Sequence, residues 1–490
     1  MNRWSRLALT VSTAALSLLA GCSFTGSDKV PISTSSSKAL EYYKEGRSLA
    51  ERLRQQEAYE KFEQAVAEDP QFALGYLALA QSSPSPKGFF ANLDRAKSLI
   101  DRVSEGERLL IEAVEAAANG DPTSQGQYLN KLLALYPNDE RVYDQIGNYY
   151  FGQQKYDSAI AVYTQANQLN PGFSPPYNML GYCYRFLGNY QAAEKSFRKY
   201  MELIPDDPNP YDSYAELLTK MGRYEDAIEN YRKALKVKND FAPSYIGIAT
   251  NLDFLGRYDE ARHELREFYA KAHDDGQQRG ALFAIAVSYT DQGLLDSALV
   301  ILEDMRKIAA AVDDAAAQAV DYDNMGQVLL HAEKPDAAAE KFKQSLDALL
   351  NSSLFPSVKE NARLDNIQRR SLVALVRGNL AVADSLAGEY LRLSTETDNP
   401  FRVRAAHLAL GLVALKKKNY DQAILELKQS DQTQAFNIFY LAVAYEGAGR
   451  IEEAQSYYRQ AADFNQLNSL GYAFIRRQAL AKVNQQTEQS

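Results

Sequence analysis

The sequence predicts an all-α protein, a solenoid of stacked helix–turn–helix units, and three observations carry that prediction. The first is a fixed repetition. Between Glu140 and Pro205 the chain places Tyr143, Ile146, Gly147, Tyr150, Ala159, Tyr163, Ala166 and Pro171, then begins again with Tyr177, Leu180, Gly181, Tyr184, Ala193, Phe197 and Pro205. Gly147 returns as Gly181, 34 residues on, and self-similarity at such a step marks a repeat architecture. The second is turn chemistry at matching offsets: Leu187-Gly188-Asn189-Tyr190, Met221-Gly222-Arg223-Tyr224 and Leu255-Gly256-Arg257-Tyr258, where glycine supplies the left-handed residue that closes a helix. The third is size against composition. A chain of 490 residues is several ordinary domains unless it is an array, and 46% hydrophobic with 24% charged residues is the balance of a folded soluble chain. One unit has no core of its own; Gly147 with Ala159 and Gly181 with Ala193 let paired helices approach, and the large residues bury between neighbours.

A small residue inside an aromatic frame, a later alanine, an aromatic four residues on and a closing proline together resemble the tetratricopeptide repeat. The resemblance implies a right-handed α-solenoid whose first helices line a concave face, and a role in holding a partner protein or peptide. It covers roughly residues 39 to 483, in about a dozen units.

Taken in order, Met1 to Ala20 carries Arg3 and Arg6 and then the apolar run Leu7 to Ala20, the layout of an export signal and too short to span a bilayer and stay. Leu19-Ala20-Gly21-Cys22 resembles a bacterial lipobox, which implies removal of residues 1–21 and lipidation of Cys22. Ser23 after that cysteine, by resemblance to enteric lipoproteins, favours the outer membrane. Residues 22–38 are polar without apolar periodicity and read as a flexible tether. The regular array runs over 39–275, degenerate at 73–105, where Ser82-Ser83-Pro84-Ser85-Pro86 stops a helix early and the stretch to Lys87 reads as a tolerated break or a recognition notch. Ser104 and Glu107 form a capping box. Over 276–466 the register loosens: Ala286 and Gly326 are 40 residues apart, so longer helices or longer loops must absorb the excess, and Asn361 to Tyr390 fits the frame poorly. Residues 467–490 read as a polar-faced capping helix and tail, with Arg476 at the small position because nothing packs over it.

Composition and motifs then exclude function classes. The formal net charge of −9 falls by two, to −11, when Arg3 and Arg6 leave with the leader, and no basic block offsets it, so nucleic acid is excluded as a partner. Cys22 and Cys183 form no structural pair once Cys22 is modified, and Cys183 reads as a small buried thiol. No nucleophile elbow, phosphate-cradling loop, H-E-x-x-H or C-x-x-C is present, and His263, His273, His331 and His407 fall in four separate units; the expectation is no enzyme, no metal and no cofactor.

The residues left to choose a partner are those of the first helices outside the frame. They are Asp144, Asn148 and Phe151, then Asn178, Tyr182 and Arg185, then Asp212, Glu216 and Thr219, then Thr250 and Asp253. This makes a polar, partly acidic groove with two aromatics as candidate anchors. The family's two-carboxylate clamp needs a lysine where Asp144 stands, so the groove suits a polar or basic segment. The expected function is a membrane-anchored adaptor of the bacterial cell envelope. The alternative is a SusD-like nutrient-binding lipoprotein, against which stands Trp4: it is the sole tryptophan and lies in the leader, leaving none to stack on a sugar.

Overall fold

The computed structural model describes residues 28–397, 399–466 and 469–487, and every regular element among them is helical. Leader and lipobox, Cys22 included, lie outside the described residues. Twelve helix pairs follow one another and a single helix ends the series. The first pairs are α1 (Ser37–Ala50) with α2 (Gln55–Glu68), α3 (Ala73–Ser82) with α4 (Pro86–Lys97), and α5 (Glu105–Ala118) with α6 (Pro122–Leu135). The regular block continues through α7 (Glu140–Gly152) with α8 (Tyr156–Leu169), α9 (Pro175–Phe186) with α10 (Tyr190–Leu203), α11 (Asn209–Lys220) with α12 (Tyr224–Val237), and α13 (Ala242–Phe254) with α14 (Tyr258–Lys271). Then come α15 (Asp275–Gln292) with α16 (Leu295–Ala311), α17 (Ala315–His331) with α18 (Pro335–Leu350), and α19 (Pro356–Val376) with α20 (Leu380–Glu396). The last are α21 (Pro400–Lys416) with α22 (Tyr420–Gln429), α23 (Ala435–Gly447) with α24 (Ile451–Ala462), and the unpaired α25 (Leu470–Thr487).

The frame works as a socket. A Cβ on Gly147 would stand 2.3 Å from the Tyr163 ring and one on Gly181 2.5 Å from the Phe197 ring, so glycine is what lets the second helix press its aromatic residue against the first. Tyr163, Phe197 and Cys183 are fully buried there. At the turns, Gly188, Gly222 and Gly256 take φ of 73°, 75° and 76°, the left-handed conformation their spacing predicts. Past residue 275 the extra length goes into helices: α15, α16 and α19 hold 18, 17 and 21 residues. The poorly fitting stretch around Asn361 to Tyr390 is an ordinary pair, α19 with α20, its weak match owed to those longer helices.

First helices pack directly on the first helices of the next unit, α7 on α9, α9 on α11, α11 on α13 and α13 on α15, whereas α8, α10 and α12 make no comparable contacts with one another. The closer spacing on one side curves the stack and puts the first helices on its inner wall. The curve closes far enough for successive superhelical turns to touch. Turns within early units meet connections between late ones: Asn119 accepts from Ser357 Oγ at 2.6 Å, Gly120 O from Asn399 Nδ2 at 3.0 Å, Gln154 donates to Asp431 at 3.2 Å, and Tyr224 OH donates to Asn465 at 2.7 Å.

Three expectations are corrected. The break at Ser82 to Lys87 is a docking point: the Lys87 N–H donates to Asp314 Oδ2 at 3.1 Å and its ammonium to Val312 O at 2.7 Å. The final helix does not leave Arg476 uncovered. Leu470, Tyr472, Phe474, Ile475 and Ala479 are buried, α25 packs against α15, and Arg476 forms a buried two-point pair with Asp291 at 2.8 and 2.6 Å. The described part of the tether is pinned. Thr34 and Ser35 donate to Asp69, Ser33 donates through N–H and hydroxyl to Glu107 at 2.6 Å each, and the Val30 N–H donates to Asp139 at 2.9 Å. Its hydroxyls and backbone donors find buried carboxylates instead of water, which fixes the segment as a strap.

Candidate functional site

The strap roofs a cavity of about 590 Å³ at the N-terminal end of the inner wall. One side comes from α1 and its C-cap (Tyr43, Arg47, then Glu51), the floor from Leu74, Leu77, Val114, Leu129 and Val142, and the far side from α7 and α9 with Asp144, Asn148, Asn178, Met179 and Tyr182. Lys29 of the strap pairs with Glu140. Arg141 bridges two carboxylates, reaching Glu51 at 2.7 Å and Glu140 at 2.9 Å.

Four of the eleven residues singled out in the sequence, Asp144, Asn148, Asn178 and Tyr182, meet at this cavity, and seven do not. Asp144 and Asn148 stand one helical turn apart; Asn148 donates to Asp144 Oδ2 at 3.2 Å and accepts from the buried Tyr163 hydroxyl at 2.7 Å. Burial, with Glu51 nearby, pushes the Asp144 carboxyl up to about 7. Asn178 is 5% exposed, and Tyr182 presents its ring to the cavity while its hydroxyl donates to Ser213 at 3.2 Å. Phe151 does not reach it. It sits edge-on to Tyr156 and Phe186 at the turn edge of its unit, with centroids 5.6 and 5.7 Å away.

Arg185, Asp212 and Glu216 belong to a ladder linking each first helix to the next. Arg185 stacks on Tyr182 and pairs with Glu216 at 3.0 Å; Ser244 donates to Asp212 at 2.7 Å. Asn251 donates to Thr219 at 2.8 Å, and Ser288 to Asp253 at 2.9 Å. Asp212, Thr219 and Asp253 are buried by this pairing, and burial followed by the Glu216 charge raises Asp212 well above the carboxylate range. Sequence reasoning found the inner face but missed the strap's acceptors, Asp69, Glu107 and Asp139. Glu107 was legible as a cap, and it is one, taking the Ser104 hydroxyl at 2.7 Å while fully buried. Its second duty towards Ser33 crosses 74 residues and leaves no periodic trace.

Among the described residues no three metal-ligating side chains cluster, and no helix is long and apolar enough to cross a membrane. Burial pushes the Cys183 thiol up to about 12, where it carries no charge at neutral pH.

Family models for the tetratricopeptide repeat match residues 150–217, and again 209–241 and 439–466. These segments are tetratricopeptide repeats. Repeats of this kind generally mediate protein–protein interactions, and the helix pairs around the matches continue the same architecture along the described chain. A solved tetratricopeptide repeat protein from Parabacteroides merdae shares 17% identity over 53% of this chain and 99% of its own, with a TM-score of 0.36. No curated protein matches the chain.

Proposed function

We propose that the protein is a non-enzymatic scaffold of the bacterial cell envelope, held to the outer membrane by a lipid on Cys22, which binds an extended segment of an envelope protein on its inner wall. The strap carries this reading. An extended stretch of this chain already crosses the connections between units at the edge of the inner-wall cavity, with its N–H groups and hydroxyls on Asp69, Glu107 and Asp139, so this edge of the groove is suited to hold extended peptide. The lipobox-like Leu19-Ala20-Gly21-Cys22 supports the anchor.

A photo-reactive residue at Asn148, on the inner wall, is expected to capture an envelope protein in intact cells, and one at Glu229, exposed on the outward-facing α12, to capture none. Equal capture from both positions, or none from either, would sink the groove reading. Cys22→Ala is expected to move the protein to the soluble fraction after cell breakage. Retention of that variant in membranes would remove the anchor.

A further inference from the structure

The hydrogen-bond ladder along the inner wall has a gap, and the gap faces the cavity. Asp212 receives its donor from Ser244, 32 residues further on and at the start of the next first helix. Asn178 and Asp144 occupy the equivalent places one and two units earlier, and at the same step of 32 residues from them stand Pro210 and Pro176. Proline offers neither a hydroxyl nor an N–H. The result is visible in both side chains: Asp144 Oδ1 and Asn178 Oδ1 are buried and accept no hydrogen bond, although both residues line the cavity. Buried acceptors left open in this way are costly, and a cavity that keeps two of them in its lining, on the neighbouring helices α7 and α9, awaits a donor from outside.

Charge identifies the donor. The other ionised groups on the cavity wall have partners: Glu51 takes Arg141 and, at 3.9 Å, Arg47, Asp139 takes the Val30 and Arg141 N–H groups, and Lys29 pairs with Glu140 just outside the lining. Asp144 has only the neutral amide of Asn148. Gln55, Gln81, Ser82, Gln125 and Gln145 add neutral polar groups, and the remainder of the lining is aliphatic or aromatic, with Leu77, Val142, Met179 and the faces of Tyr43 and Tyr182. An apolar sleeve ending in an open carboxylate and an open carbonyl fits a long side chain with a cationic tip.

We infer that the cavity between α7 and α9 is a specificity pocket for a lysine or arginine side chain of the bound segment, with Asp144 and Asn178 receiving its N–H groups. This rests on the groove-binding reading above and adds which residue of the partner is read.

The test uses the mature chain and blocked pentapeptides Ala-Ser-Xaa-Ser-Ala, with lysine, arginine, norleucine or glutamate at Xaa, titrated calorimetrically. Lysine and arginine peptides are expected to bind about tenfold more tightly than norleucine, with glutamate weaker still. Asp144→Asn is expected to abolish that preference. Pro176→Ser, which returns a ladder hydroxyl to Asp144, is expected to weaken lysine binding while raising Tm. Norleucine binding as well as lysine, or lysine binding unchanged in Asp144→Asn, overturns the pocket and leaves groove binding standing. Failure of every peptide to bind overturns both.

Discussion

Gly147 and Asp144 lie three residues apart on α7 and answer to different neighbours. Gly147 faces inward and is fixed by the Tyr163 ring, whereas Asp144 faces the cavity and is tuned by burial and Glu51. That tuning has a sign that can be measured. Above pH 7 the carboxyl is ionised in the folded and the unfolded chain, and its burial counts fully against folding. As pH falls below 7 the folded chain takes up a proton that the unfolded chain, with an ordinary carboxylate near 3.8, still releases, so stability is gained. Asp144→Asn is therefore expected to be the more stable protein at pH 8, by about 1 kcal/mol after screening by solvent in the cavity, with the difference narrowing towards pH 4. Thermal melts of both proteins across that range check it; a pH-independent difference would show that Asp144 does not titrate as its surroundings demand. Gly147 was legible in the sequence because its constraint repeats at Gly181. The fates of Arg185, Asp212 and Glu216 were not. Periodicity tells which face a residue is on, whereas its burial depends on whether the neighbouring unit offers a Ser213 or Ser244, or a Pro210, at one position.

At the scale of elements, both ends of the described chain do other than composition suggests, for the same reason. The strap is a run of serine and threonine that reads as tether until its donors meet Asp69 and Glu107. The carboxylate of Asp69 shows how firmly: burial opposes its ionisation, yet the Thr34 hydroxyl with the Gln71 and Ser35 N–H groups holds it below the usual range. Helix α25 carries an arginine where the frame wants a small residue, and the reason is Asp291, which also accepts from the Tyr258 hydroxyl at 3.0 Å. Asp291 is 1% exposed and Arg476 7%, so removing one partner strands a charge. Arg476→Met is expected to cost about 3–5 kcal/mol in urea unfolding, and Arg476→Met with Asp291→Leu to recover much of it. A double variant no better than the single one would show that the pair sets geometry beyond its own charges. No local pattern betrays either contact, since their partners lie tens to hundreds of residues away.

Across the whole molecule, the helix pairs and turns as far as Lys271 were readable from one period of 34 residues, because adjacent units supply most of the packing of each; beyond it the step lengthens to 40 and the match weakens. Closure was not readable. It follows from small rotations summed over several units, and its contacts join residues 238 to 279 positions apart, as Ser357 with Asn119 and Asn399 with Gly120 do. Phe90 against Phe355, with centroids 5.6 Å apart, and Lys97 over the Phe355 ring at 4.9 Å add an apolar seam. Phe355→Ala combined with Asn399→Ala is expected to open the superhelix, seen as a larger radius of gyration in small-angle scattering with helix content unchanged. An identical scattering profile would mean that the curvature is set within the units alone.

That seam changes the mechanics of the molecule. An α-solenoid whose units touch only in sequence behaves as a spring, stretching and bending at low force to suit what it grips. Bonds such as Gln154 to Asp431 and Tyr224 to Asn465 tie one coil to the next, as a weld ties the windings of a coil. The chain then resists extension and torsion as a short hollow shaft, and the inner wall keeps one radius whether or not anything occupies it.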